Sequence, residues 1–100
     1  MFWIHGGGNT SGEAGSYDFS KLAAAHDLVI VSINYRLGFL GWFYHPSFAA
    51  TSNDQGDKSG NFGTLDQIMA LKWVRKHIED FGGDKNNVTI FGESAGGHNV

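Results

Sequence analysis

Along Leu28-Val29-Ile30-Val31-Ser32-Ile33-Asn34-Tyr35 apolar residues occupy both alternating positions, so an extended chain here has no face suited to water. Such a strand needs cover above and below, and the run reads as the central strand of a parallel sheet. Two further β-favouring runs fall straight into glycine: Met1-Phe2-Trp3-Ile4 into His5-Gly6-Gly7-Gly8, and Val88-Thr89-Ile90-Phe91 into Gly92-Glu93-Ser94-Ala95-Gly96-Gly97. Helix signals separate the three. Asp18 or Ser20 can cap a short helix through Leu22 to Ala25. Thr64 with Gln67 forms a capping box, and Ile68, Leu71, Val74, Ile78 and Phe81 follow at helical spacing until Gly82-Gly83 stops them. Arg36 to Gly63 reads as one long irregular loop, a length usually tied to function or mobility. This order predicts an α/β domain with a mostly parallel sheet and right-handed crossover helices. Three strands and two complete helices leave edges and faces uncovered. Residues 1–100 are therefore expected to be an incomplete domain, cut after the last glycine turn and also at the N-terminus.

Composition removes several function classes. Seven Lys and Arg against ten Asp and Glu give a net charge of -3 without long blocks of one sign, which offers nothing to nucleic acid or an anionic membrane surface. No apolar run approaches the roughly 18 residues of a membrane span. With no Cys there is no thiolate metal site, Asn53 to Asp57 lacks the spacing of a calcium loop, and neither glycine cluster has the pattern of a phosphate or dinucleotide loop. No metal and no cofactor are expected. Compartment and oligomeric state leave no trace in the sequence.

Gly92-x-Ser94-x-Gly96 between a strand and a helix is the setting of a nucleophile elbow. The spacing is steric: the serine occupies a strained turn, and the residues two before and two after pass too close for side chains. The Ala95 N–H at the helix start can then donate to an oxyanion forming beside Ser94. His5-Gly6-Gly7-Gly8 lets further amides turn toward a substrate unobstructed. Both motifs follow predicted strands, at the carboxyl ends where open α/β sheets bind ligands. The competing readings are a glycine-rich turn with a serine cap and a flexible glycine loop; the two motifs in this order favour the catalytic one.

The stretches Phe2 to Gly8, Ser32 to Phe39, Gly60 to Gln67, Ala70 to Val74, Phe81 to Asp84 and Val88 to Gly97 together resemble the type-B carboxylesterase/lipase family, the cholinesterase-like branch of the α/β-hydrolases. The resemblance implies a partial α/β-hydrolase fold and a carboxylic ester hydrolase working through a serine nucleophile, an acyl-enzyme and a small-molecule ester substrate. It implies Ser94 as nucleophile, the N–H groups of Gly7, Gly8 and Ala95 as oxyanion hole, and Glu93 at the border of the acyl pocket. It further implies a buried ion pair between Arg36 and Asp66, whose disruption would cost about 3–5 kcal/mol. In that family the acid and histidine of the triad follow the serine at a distance, so none of His5, His26, His45, His77 or His98 is assigned as base, and the chain alone is expected to be inactive. Two alternatives stand beside this reading: a non-catalytic cholinesterase-like adhesion or binding module, and an esterase of the hormone-sensitive-lipase-like branch.

Overall fold

Strand β1 (Phe2–Ile4) lies between β2 (Val31–Ile33) and β3 (Ile90–Gly92), parallel to both. The computed structural model describes residues 1–100, the Ala49 side chain excepted. The central strand is thus the first, and the two-faced run Leu28 to Tyr35 takes an outer place with only Val31–Ile33 laddered. Its length is set by its partner, because β1 has three residues before the glycine loop begins. The same register moves the last strand two residues on from Val88, pairing Phe2 with Ile90 and Ile4 with Gly92.

Alternation along β1 builds two cores. Phe2 and Ile4 turn to one side and pack with Ile33, Tyr35, Val74 and Ile78. Each fully buried side chain of this size is worth about 1.5–3 kcal/mol. Trp3 turns to the other side, where the rings of Tyr17, Phe19 and Phe91 stand 5.1, 5.1 and 4.9 Å from it. Helix α1 (Ser20–His26) follows, its first N–H accepted by Asp18 Oδ1 at 2.9 Å, and it ends where Asp27 enters the left-handed region at φ 51.

The stretch 36–63 is not irregular throughout. It contains α2 (Gly38–Gly41), α3 (Pro46–Thr51) and a 3-10 turn at Asp57–Ser59. Pro46 opens α3 with its φ already helical, and His45 Nδ1 accepts the Ser47 N–H at 3.2 Å. The main helix, α4 (Phe62–His77), starts before the expected capping box: Asn61 is its cap residue, the Thr64 hydroxyl instead accepts Trp42 Nε1 at 3.2 Å, and Gln67 is buried. A 3-10 turn, Ile78–Phe81, continues it until Gly82 at φ 83 reverses the chain. Of the predicted apolar stripe Val74 and Ile78 are buried and Leu71 is partly so, whereas Ile68 and Phe81 are 42% and 62% exposed.

The Arg36–Asp66 pair forms, but it is not buried. Arg36 Nε and Nη2 meet the two carboxylate oxygens at 2.8 and 2.7 Å, and the Arg36 N–H adds a third bond at 2.9 Å. The side chains are 51% and 27% exposed, so water screens the pair and the cost expected for a stranded buried charge does not apply. The guanidinium also lies 5.1 Å from the centre of the Phe62 ring.

Candidate active site

Parallel strands bring like ends together. With Ile4 beside Gly92, two further residues along each chain bring Gly6 level with Ser94, and a Cβ built on Gly6 would lie 3.0 Å from Ser94 Cβ. Both predicted motifs therefore meet at the carboxyl edge of the sheet. Ser94 is the cap residue of α5 (Ala95–Asn99), with φ 54 and ψ −123, a conformation that strains any residue but glycine. The corner is tight on both sides of it. A Cβ on Gly92 would run into the Gly96 carbonyl, and one on Gly96 would strike the carbonyl of Ile4 at the end of β1. The Gly96 N–H closes the turn onto the Glu93 carbonyl at 2.9 Å.

The glycine loop is fixed carbonyl by carbonyl. The Tyr35 hydroxyl donates to His5 C=O. His5 Nδ1 lies 2.8 Å from Gly6 C=O; a carbonyl only accepts, so Nδ1 carries the proton. Gly7 C=O accepts the N–H groups of Thr10 and Ser11 at 3.1 and 3.0 Å, and both hydroxyls at 3.2 Å. No peptide is cis. In a planar trans peptide the next N–H points opposite to the carbonyl, so the Gly7 and Gly8 amides are turned away from the His5 ring and from the Thr10–Ser11 turn. Gly7 and Gly8 hold φ +100 and +64. Among the described residues neither their N–H groups nor that of Ala95 donate to an acceptor of the loops or turns.

Around this edge, His5 is buried and its ring stacks on Tyr35 at 4.5 Å. Burial pushes the Tyr35 phenol up, with a hydrogen bond to Asn99 acting against it, so the hydroxyl stays a donor. The Glu93 carboxylate reaches back over Gly6, where a Cβ would lie 2.7 Å from Oε2. A cleft of about 210 Å³ opens between His5, Gly7, Tyr17 and Glu93. A larger cavity, about 330 Å³, sits at the opposite end of the sheet near Met1, Leu28 and Val88, away from the edge where parallel sheets bind ligands. His98 is exposed on α5, and Ser94 Oγ has no histidine bonded to it among the described residues. Asn9 and Asn99, which join across this edge at 3.0 Å, belong to neither catalytic motif. The one sequence hint is an asparagine next to a glycine run, a residue that tolerates positive φ.

A strand-turn-helix corner facing a glycine loop at the carboxyl edge of a parallel sheet is α/β-hydrolase architecture, and solved esterase structures are among those this chain matches. It superposes on a thermophilic PNB esterase with a TM-score of 0.85 and 50% identity, covering 99% of this chain and 20% of that one. A Geobacillus stearothermophilus carboxylesterase gives a TM-score of 0.85 at 44% identity with the same coverage. The carboxylesterase family model matches residues 1–100, and the chain belongs to that family. Over its whole length it is 55% identical to a cocaine esterase of Oryctolagus cuniculus and 52% identical to a para-nitrobenzyl esterase of Bacillus subtilis. It spans 17% of the first and 20% of the second.

Proposed function

We propose that this chain carries the nucleophile and the oxyanion-binding amides of a carboxylic ester hydrolase, with Ser94 attacking the ester carbonyl. The observation that supports this most is the Ser94 backbone, held at φ 54 and ψ −123 with the glycine loop against its Cβ. Such a conformation costs of order 1–3 kcal/mol and persists where a function needs it. As the Oγ–carbon bond forms, the carbonyl electron pair moves onto oxygen, where the Gly7, Gly8 and Ala95 N–H groups receive the charge. The Oγ proton passes to a base and leaves on the departing alcohol; water then attacks the acyl-enzyme, releasing the acid and restoring the hydroxyl. Base and triad acid are assigned to parts of the protein outside residues 1–100, so these residues alone are an incomplete domain without ester turnover. Glu93 borders the acyl pocket. The substrate is a small carboxylic ester, in keeping with relatives named for cocaine, para-nitrobenzyl groups and pyrethroids.

In the full-length enzyme, Ser94→Ala is expected to lower turnover of a para-nitrobenzyl ester by about 10⁶-fold. Unchanged turnover would reject the assignment. A non-catalytic binding module would hydrolyse nothing with serine in place.

A further inference from the structure

Asn9 and Asn99 lie 90 positions apart, yet Asn99 Nδ2 donates to Asn9 Oδ1 at 3.0 Å in a partly buried setting. Asn9 directly follows the glycine loop and holds φ 60. Its carbonyl accepts the Gly38 N–H at 2.7 Å, so α2 anchors the same residue from a second direction. Asn99 is the last residue of α5, the helix whose first residue is Ala95. It also faces the Tyr35 hydroxyl, which holds the His5 carbonyl at the other end of the loop. Gly7 and Gly8 lie exposed between these anchors. The side-chain bridge therefore ties the element presenting the Ala95 amide to the loop presenting the Gly7 and Gly8 amides.

We infer that Asn9 and Asn99 are positioning residues that set the distance between the two halves of the oxyanion site, an inference that rests on the esterase reading above. Three amides stabilise a developing charge together only if each points at the same oxygen, and a displacement of about 1 Å can cost about 10²-fold in rate. The bridge touches no reacting atom; it acts through the amides it aligns.

The test is made in the full-length enzyme with Asn9→Gly, Asn99→Ala, the milder Asn99→Ser, and the Asn9→Gly/Asn99→Ala double variant. Glycine accepts φ 60 without strain, so Asn9→Gly removes the side chain without forcing the backbone out of its conformation. Each single variant is expected to lower kcat by about 10–100-fold. KM should stay within about twofold, because ground-state binding is untouched. Affinity for a trifluoromethyl ketone, which forms the oxyanion, should fall with kcat, and the double variant should be no worse than the poorer single one. Unchanged kcat in both Asn9→Gly and Asn99→Ala, while Ser94→Ala is dead, would overturn the inference and leave the esterase reading standing. Effects that multiply in the double variant would also overturn it. So would loss of the folded state in both Asn99→Ala and Asn99→Ser, seen by circular dichroism, which would assign the pair to stability alone. Full turnover in Ser94→Ala would remove the esterase reading, and this inference with it.

Discussion

Gly92 and Gly96 decide whether Ser94 can stand at its corner, and their contacts are with backbone that cannot move aside. Gly92→Ala and Gly96→Ala are each expected to destabilise the full-length protein by about 3 kcal/mol, measured by urea denaturation. Stability equal to the parent in either would show the corner to be looser than the structure has it. This part of the site was legible in the sequence because the requirement is written as residue identity at fixed spacing: only glycine fits, so glycine appears. The asparagine bridge was not legible, since a contact between residues 9 and 99 exists only once parallel strands have brought their ends together. His5 lies between these cases. Its place beside the glycines was visible, but its stacking on Tyr35 and its grip on the Gly6 carbonyl were not.

At the scale of elements, α4 was readable because sixteen residues give the apolar period room to repeat. Helices α2 and α3, with four and six residues, have no such room and were hidden in a stretch that reads as loop. Strand β2 shows a different limit: apolar residues on both faces call for burial but do not say which strands are neighbours. Val74 is where α4 meets the sheet, and Val74→Ala is expected to cost about 2 kcal/mol in urea denaturation, with a loss below 0.5 kcal/mol counting against the packing described. Arg36 and Asp66 tie the exit of β2 to the first turns of α4. Because the guanidinium is half exposed, Asp66→Asn is expected to cost only about 0.5–1 kcal/mol. The bonds from Arg36 hold the Asp66 carboxyl below its ordinary value of 3.8, so the folded protein binds this proton less readily than the unfolded chain. The contribution is complete above that value and fades as pH falls through the lower folded one. Denaturation curves of parent and Asp66→Asn should therefore differ by a constant amount near neutrality and converge in acid; a difference that grows on acidification would contradict the pairing.

The molecule as a whole is flat, 49 × 27 × 17 Å, with a radius of gyration of 15.1 Å. A closed domain of 100 residues has about 13 Å. Phe39, Leu40, Met69 and Trp73 are exposed apolar side chains, a surface suited to association. Residues 1–100 produced alone are accordingly expected to bind a hydrophobic dye and to self-associate in sedimentation; a dye-negative monomer would show that the three-stranded sheet suffices. The proposed chemistry turns on one hydroxyl, and the most direct measurement is to treat the full-length protein with a fluorophosphonate and locate the adduct by peptide mass spectrometry. A single adduct on Ser94, absent from Ser94→Ala, is the predicted result; an adduct on another residue with Ser94 unmodified would contradict it.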